Sequence, residues 1–374
     1  MLFGDDRARS GRRRLPAVVA ALLAAAGAPA GGCRGERAAS STATVPAAAD
    51  STPETPAAPP LDAAAAPAAP VEATPIAGAP EPGLAAHLSR VPEGPGRHVV
   101  LRVDLRGLAT RPEIRAAARR LLGPLDAAGS TDAACLAELL GAVDAVTYVW
   151  RESDGPDTGI ALIDAAVGLP AALPCLRSLG LVPPAPATLD DGPLALAPQI
   201  SIAAAGDGTV AVGATELVQA ACSGSPPRPL SRSAALERAR ALAGAAPVWV
   251  AWFEPDGTAT TGDLGGFGLR IAPRLGVTGT LVFAGPGRAE AFRNRAVELL
   301  AGLHRAGESV LQKAEGLLPA ADLAPLRAVL DAARDASFTL DAGTLAFETW
   351  FPPELTLPEL LGALPALAPI LDLL

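Results

Sequence analysis

Three carboxylates lie near the ends of predicted strands, and they are the side chains of this 374-residue sequence best suited to acid–base chemistry. They are Asp104, Asp164 and Glu254. A carboxylate site hydrolyses a bond by general acid and base catalysis, and it needs no contiguous sequence motif. Acidic residues are also common in the turns that end strands. We therefore keep a carboxylate hydrolase as an alternative and assign no residue a catalytic role.

The other side chains that support catalysis or metal binding are scattered along the chain. His87 precedes the first predicted strand, His98 begins that strand, and His304 belongs to a predicted helix. The sequence contains no GxSxG, HExxH, SxxK or phosphate-loop motif. It also has no cysteine and histidine cluster with the spacing of a zinc site. We expect a protein that is not an enzyme and that holds neither a metal nor a cofactor.

Two local patterns are compatible with ligand binding, and each has a simpler structural interpretation. Thr261–Arg270 is rich in glycine, but it leads into a strand, whereas a phosphate-binding loop leads from a strand into a helix. Trp252 and Trp350 could line an apolar groove, although large aromatic residues are usually buried. We expect a loop or strand entry at the first pattern and core packing at the second.

Short strands and helices alternate from about residue 97 to residue 374, in an order that repeats. A strand at His98–Leu105 is matched by one at Ala246–Phe253, and each is followed twice by a hairpin and a helix. The predicted hairpin strands are Ala145–Trp150 with Thr158–Asp164, Pro198–Ala205 with Thr209–Ala214, Phe267–Pro273 with Val277–Ala284, and Ala336–Ala342 with Thr344–Phe351.

This order predicts an α+β fold built from two tandem copies of a β-ββα-ββα unit, residues 97–230 and 231–374. Hairpins make antiparallel sheets, and we expect the helices to cover one face of them. The sequence leaves open whether the two halves share one sheet.

The N-terminal 32 residues have the pattern of an export signal. Five arginines between Arg7 and Arg14 precede an apolar run from Leu15 to about Ala28, which is followed by small residues. The run is shorter than the roughly 20 apolar residues that a transmembrane helix needs. We therefore expect residues 1–32 to be a signal peptide.

The small residues Ala30, Gly31 and Gly32 directly before Cys33 resemble the lipobox of bacterial lipoproteins. The resemblance implies cleavage before Cys33, a diacylglycerol on its sulfur and a fatty acyl chain, such as palmitate, on its amino group. It also implies the outer membrane, because Arg34 rather than aspartate follows the cysteine. An ordinary secretory signal that is cut after Ala28-Pro29-Ala30 is the alternative.

Residues 33–96 are dominated by alanine, proline, serine and threonine and show no helix or strand period, which predicts a disordered tether. The chain as a whole is acidic, with a formal charge of −9 at pH 7. An acidic surface repels phosphate backbones, so we expect no nucleic-acid partner.

Lipidation of Cys33 leaves Cys135, Cys175 and Cys222, enough for one internal disulfide. We predict that Cys175 pairs with Cys222, because both lie on helices that follow equivalent hairpins of one half. The alternative is that all three are small buried residues.

The sequence as a whole predicts a lipid-anchored protein of the cell envelope that faces the periplasm or the cell surface. Its folded part is expected to be a noncatalytic binding or envelope-assembly module, with the membrane and an envelope protein as partners. One alternative is a carrier that holds a lipid or other apolar ligand between the two halves. The other is the exported carboxylate hydrolase.

Overall fold

A computed structural model describes residues 83–360, apart from gaps at 113, 115–134, 136–137, 140, 156–157, 179–180, 183–191, 207, 225, 256–262, 272–273 and 316–317. The predicted signal peptide, Cys33 and residues 34–82 of the predicted tether lie outside the described residues, as do residues 361–374.

The described strands form one antiparallel sheet of 11 strands. They are β1 (His98–Asp104), β2 (Val143–Arg151), β3 (Ile160–Ala165), β4 (Leu194–Ala197), β5 (Ile200–Ala204), β6 (Thr209–Ala214), β7 (Val248–Phe253), β8 (Leu264–Arg270), β9 (Gly276–Val282), β10 (Ser337–Asp341) and β11 (Thr344–Trp350).

Helices accompany the sheet in the described part of the chain, which is therefore an α+β fold. A 3₁₀ helix covers Leu230–Arg232, and the α-helices whose bounds lie within the described residues follow. They are α1 (Leu84–Leu88), α2 (Leu105–Ala109), α3 (Leu169–Ser178), α4 (Thr215–Cys222), α5 (Ala234–Ala243), α6 (Pro286–Ala314) and α7 (Ala320–Arg334).

The order of strands across the sheet is β10-β11-β9-β8-β7-β1-β2-β3-β6-β5-β4. β1 lies near the centre, where it pairs with β2 on one side and with β7 on the other. The β1–β7 ladder runs from the pair of His98 with Phe253 to the pair of Val103 with Val248. The sequence left open whether the strands form one sheet or two, and the structure has a single sheet that is continuous from β10 to β4.

Helices cover both faces of this sheet, so the expectation that they lie on one face is wrong. Val248 and Trp249 are neighbours on β7 and point to opposite faces. Trp249 packs in a cluster with Leu236 of α5, whereas Val248 packs in a cluster with Ala332 of α7. Central strands with apolar residues on both faces need cover on both.

Trp252 and Trp350 do not line a shared groove. Trp252 pairs with Gly265 of β8, which pairs with Leu281 of β9, which in turn pairs with Leu345 of β11. Trp252 and Leu345 therefore point to the same face of the sheet. Trp350 lies five residues beyond Leu345 on the same strand and therefore points to the opposite face.

The described part of the glycine-rich run, residues 263–270, leads into and forms β8, and two of its glycines allow a helix to pack closely. A Cβ atom on Gly266 would collide with the backbone of Ala239 and Ala243 in α5, and one on Gly268 would lie 2.5 Å from the carbonyl oxygen of Ala243. Helix α5 thus packs directly on the backbone of the strand, a close approach that only glycine permits. The run serves packing.

Ordered structure begins before the predicted end of the tether at residue 96. Leu84 and Leu88 of α1, together with Val91, are buried in the main core. The backbone of this segment bonds to the region before α5, with Leu230 N donating to Val91 O at 2.9 Å. The folded part therefore starts at least as early as Gly83.

The disulfide joins Cys135 to Cys175, with their Cα atoms 5.7 Å apart, and Cys222 is an exposed free thiol. The predicted Cys175–Cys222 pair is therefore wrong. The prediction assumed that the helices carrying the two cysteines occupy equivalent positions. Instead, α3 packs against Val210 and α4 packs against Ala211. These two residues are neighbours on β6, so their side chains point to opposite faces of the sheet. The two helices lie on opposite sides of the sheet.

Candidate functional site

A group of polar side chains lies buried between α1 and the sheet. We call His87, Arg102, Thr147 and Asp164 the polar cluster. The His87 and Thr147 residues are fully buried and Arg102 is 2% exposed, whereas the Asp164 side chain is 24% exposed. Burying a polar group costs free energy unless the group is hydrogen-bonded. The hydrogen bonds within the cluster therefore show which of its groups are already engaged and which are free for chemistry.

Strand register places three members of the cluster on one face of the sheet. Arg102 of β1 lies directly opposite Thr147 of β2. Asp164 of β3 lies opposite Ala145, two residues from Thr147 along β2, so it shares their face. His87 comes from above, on the single turn and a half of α1, whose Leu84 and Leu88 anchor it in the core.

The imidazole of His87 connects the cluster. Its Nε2 atom lies 2.6 Å from Oδ1 of Asp164, and its Nδ1 atom lies 2.8 Å from the Thr147 hydroxyl. A carboxylate only accepts, so Nε2 carries the proton of the first bond. Arg102 Nη1 donates to the same Thr147 hydroxyl at 2.6 Å and lies 3.1 Å from His87 Nδ1.

The surroundings of Asp164 favour its ionised form. Burial alone raises the pKa of its carboxyl group, but several interactions together outweigh this effect: the hydrogen bond from His87, the electrostatic attraction of His87 and Arg102, and a 3.2 Å hydrogen bond from Thr209. The pKa of Asp164 therefore lies below its usual value. A carboxylate held in this way anchors the cluster.

Gly83 ties the cluster to the start of α1. Its φ is 79°, in the left-handed region that glycine tolerates, and a Cβ atom there would collide with the Asp164 carboxylate. His87 N donates to the carbonyl of Gly83 at 2.9 Å. The backbone at residue 83 and the ring at residue 87 thus both rest on Asp164.

A histidine paired with a carboxylate is an arrangement that serves a general base in many enzymes. Here the ring is enclosed, and its two nitrogens already contact Asp164 and Thr147. Among the described residues, no group of three or more His, Cys, Asp or Glu side chains is placed to hold a metal. The geometry therefore supports a structural latch, which fastens α1 to the sheet.

The other two carboxylates named from the sequence do not take part in the hydrogen bonds of the polar cluster. Asp104 accepts a 2.8 Å hydrogen bond from Gly107 N and so caps α2. Glu254 follows β7 at the His98 end of the β1–β7 ladder, whereas Asp104 ends β1. About six residues of strand, roughly 20 Å, separate these two levels. Asp104 and Asp164 lie at the same level of the sheet, on the two strands that flank Ala145 of β2, with their Cα atoms roughly 10 Å apart. Glu254 is remote from both, so the three acids do not form one site.

Sequence reasoning named Asp164 but missed its partners. One signal was available, because Arg102 alternates with Val100 on a strand whose apolar residues predict a buried face. A charged residue on such a face needs a buried partner. His87 carried no comparable signal, since its helix has only five residues and is embedded in an alanine- and proline-rich stretch.

A second candidate surface lies on α6, a helix of 29 residues. Its first and last turns are buried through Ala289, Leu311 and Ala314. Between them Phe292, Ala296, Leu299 and Leu303 lie along one line of the helix, and we call these four the apolar stripe. The large side chains Phe292, Leu299 and Leu303 are 37%, 44% and 45% exposed.

Contacts at both ends hold α6 in place while its middle stays open. Near the N-terminus, buried Asp263 pairs with Arg288 at 2.5 Å and accepts from Ala284 N at 3.1 Å. Near the C-terminus, Leu311 packs in a small core with Leu326 of α7. The exposure of the stripe is therefore a property of a helix that is fixed in the fold.

A shallow groove of about 420 Å³ lies between α5 and β9–β11, away from the polar cluster. Its walls carry hydroxyl groups and one charge of each sign, from Thr278, Thr280, Ser337, Thr339, Arg270 and Glu348. Arg270 already donates to Thr278 and to a backbone carbonyl. The groove offers hydrogen bonds, with no histidine or cysteine in its lining.

No helix among the described residues has the length and apolar character needed to cross a membrane. No protein-family model matches the chain, and no curated protein matches it. It is similar to two solved structures of TP0453. Crystal form III has a TM-score of 0.37 and 10% identity, and crystal form I has 0.32 and 9%; each comparison covers 75% of this chain and 97% of the other. At these TM-scores the likeness carries no argument.

Proposed function

We propose that this chain is an exported protein of the cell envelope, anchored to the outer membrane through lipidated Cys33. Its folded part acts as a noncatalytic binding module that faces the periplasm or the cell surface. The basic residues, apolar run and small residues before Cys33 support export and lipidation. Two or more acyl chains give stable anchoring, since each buried CH₂ contributes about 0.8 kcal/mol.

The apolar stripe of α6 is the observation that carries the binding role. Single exposed apolar residues are normal on protein surfaces. Phe292, Leu299 and Leu303 instead form a continuous line on one helix, and such a patch marks an interaction site. The polar cluster supports the noncatalytic part of the proposal, because its histidine and carboxylate are used to fasten α1.

We further propose that the fold contains two copies of a β-ββα-ββα unit joined at the β1–β7 ladder. The strand order supports this, because β1-β2-β3-β6-β5 reads outward on one side of the ladder and β7-β8-β9-β11-β10 reads outward on the other. Helices α3 and α6 follow the first hairpin of each copy, and α4 follows the second hairpin of the first. Strand β4 is then an addition to the first copy.

The two alternative functions receive less support. A carrier needs an apolar space between the halves, and β1 and β7 are hydrogen-bonded to each other along that boundary. A carboxylate hydrolase needs two free acids within reach of one bond. Glu254 lies roughly 20 Å from the level of the other two, and Asp104 and Asp164 are engaged by Gly107 N and by His87. The binding role requires neither feature.

Intact mass tests the anchor. Protein purified from membranes of a bacterial host should begin at Cys33 and carry a diacylglycerol and an acyl chain, and the Cys33→Ala protein should carry none. A mature protein that begins at another residue, without lipid, would contradict the anchor and leave a freely secreted protein.

Thiol labelling in intact membranes tests the binding surface. Cys222 is replaced by serine in every variant, because it is an exposed thiol. Leu299→Cys lies on the stripe, and Asn294→Cys is the control at an exposed site about 140° away around the same helix. We expect a bulky maleimide to react about tenfold more slowly at position 299, which corresponds to about 1.4 kcal/mol of protection. Equal rates at the two positions would refute a bound surface.

A further inference from the structure

We propose that the occupant of the apolar stripe is a second copy of this chain, with the two α6 helices packed antiparallel about a two-fold axis. The inference rests on the proposed role of α6 as a binding surface and names its partner. It requires a stripe that is complementary to itself, charges that do not oppose one another, and a neighbouring sheet edge that permits the approach.

The spacing of the stripe is that of a helix–helix seam. Phe292, Ala296, Leu299 and Leu303 follow one another at intervals of four, three and four residues, and Ala306 continues the series. This is the a/d pattern of a coiled coil, which is narrower than the apolar face of a helix that packs against a core. A narrow seam fits one partner helix better than a broad surface.

An antiparallel two-fold pairing makes the stripe complementary to itself. With the axis passing between Val297 and Glu298, Phe292 lies opposite Leu303 of the second copy, and Ala296 lies opposite its Leu299. Each large side chain near the axis then meets a small one, and the two aromatic rings lie at the outer ends. A two-fold interface uses the same patch on both copies, which is the commonest arrangement in homo-oligomers.

The charges beside the stripe do not oppose this pairing. On the flank away from α7, Arg295 would lie near Gly302 of the second copy. Its long basic side chain would thus meet a glycine, which has no side chain. On the other flank Arg293 would lie near Leu300 of the second copy. Like charges directly opposite one another weaken helix pairs, and this register has none at the seam.

The neighbouring edge of the sheet is open, in contrast to the far edge. β10 lies beside α6, with Phe338 and Leu340 packed in the same cluster as Ala289. Among the described strands it pairs only with β11, in unbroken register, and it contains no lysine or proline.

The opposite edge strand, β4, has four residues and a register irregularity, two features that protect sheet edges. β10 has five residues, one charged side chain (Asp341) and no register irregularity, so it is the less protected edge of the two. A less protected edge beside an exposed seam is expected where a second chain covers both. The two-fold axis that relates the α6 helices also relates two β10 strands in antiparallel orientation.

Disulfide cross-linking of the full lipidated chain in membranes tests this partner. The test variant carries Phe292→Cys and Leu303→Cys, with Cys222→Ser to remove the free thiol. The two introduced thiols are 11 residues apart, about 16 Å along the helix, so they cannot bridge within one chain. The matched control, Asn294→Cys with Arg305→Cys, has the same spacing at two exposed positions on the opposite side of α6.

Mild oxidation should give the test variant a reducible band at twice the monomer mass, and the control should stay monomeric. Adding Leu299→Glu to the test variant should abolish the band, because it places two carboxylates in the seam. Equal cross-linking in test and control variants would mean random collision and would overturn the proposal.

Absence of the dimer band would also overturn it, and thiol labelling then separates two cases. If position 299 remains protected from maleimide, another partner covers α6 and the binding role stands without the dimer. If position 299 labels as fast as position 294, the binding role fails as well.

Discussion

Replacing His87 with alanine should detach α1 from the sheet. The substitution removes the bonds to Asp164 Oδ1 and to the Thr147 hydroxyl and leaves a cavity in a fully enclosed site. Each buried group left without a partner costs about 1–3 kcal/mol. Arg102 lies 3.9 Å from Asp164 and retains part of the attraction on that carboxylate. We therefore expect a loss of about 3 kcal/mol, a large part of the roughly 5–15 kcal/mol that stabilises a typical domain.

Urea unfolding followed by tryptophan fluorescence measures this loss. Trp249 is a suitable reporter, because it is buried and lies directly opposite Arg102 in the sheet. Ser89→Ala is the control, since its exposed hydroxyl bonds only to a carbonyl of the same turn and should change stability by no more than about 0.5 kcal/mol. Amide hydrogen exchange should show faster exchange in α1 of the His87→Ala protein. A loss below about 1 kcal/mol, with unchanged exchange in α1, would refute the latch.

Acid should remove the contribution of Asp164. Its pKa is lower in the folded protein than in the unfolded chain, so the unfolded chain takes up the proton first as the pH falls. The stabilisation is therefore complete above the unfolded value near 4 and disappears as the pH falls through the lower folded value. The stability difference between the native protein and Asp164→Asn should shrink over that range. A difference that is constant from pH 6 to acid would contradict the pKa shift.

Two further substitutions or treatments have clear expected outcomes. Gly266→Ala should destabilise the fold by about 1–3 kcal/mol, because the added methyl group meets the backbone of α5. Gly302→Ala is the control: this position in α6 has open space around it, and the substitution should stabilise the fold by up to about 1 kcal/mol. Equal effects of the two substitutions on the thermal unfolding midpoint would contradict the close approach of α5 to β8. Reduction of the Cys135–Cys175 disulfide, which closes a separation of 40 residues, should cost about 4 kcal/mol and lower the thermal midpoint. Cys175→Ser should abolish that sensitivity to reductant and Cys222→Ser should leave it intact; the reverse result would restore the pairing with Cys222.

The positions of the strands were predictable because a strand shows a local alternation of apolar and polar residues along the sequence. The pattern at His98–Leu105 predicts β1 to within one residue, and the four predicted hairpins coincide with β2–β3, β5–β6, β8–β9 and β10–β11. β4 was missed, because its four residues lie in an alanine- and proline-rich stretch without a strand period. The sheet face that each helix covers was also missed, since alternation shows that a strand has two faces but not which segment returns to each.

The polar cluster illustrates the same limit for a site. Arg102 and Thr147 are 45 residues apart, and only the register of β1 against β2 brings them together. Asp164 was identified because it ends a predicted strand, yet its role depends on His87, 77 residues earlier in a segment that resembles the tether in composition. A site built from single residues on separate elements becomes visible only when the pairing of those elements is known.

In helix α6 the spacing of the apolar residues shows more than where the helix begins and ends, because it also shows which sides of the helix are apolar. At about 100° per residue, the stripe residues Phe292, Leu299 and Leu303 lie within about 40° of one another. Ala289, Leu311 and Ala314, which pack inside the chain, lie about 40–100° from Phe292 around the helix. Phe292 is at the border of the two faces, since its ring centroid lies 5.2 Å from that of Phe283. The internal contacts therefore leave part of the apolar arc uncovered. Three of the four large exposed apolar residues of α6 lie on the stripe, whereas Val297 lies alone, about 140° from Phe292. The same sequence pattern thus fits the proposed partner outside the chain as well as the packing within it.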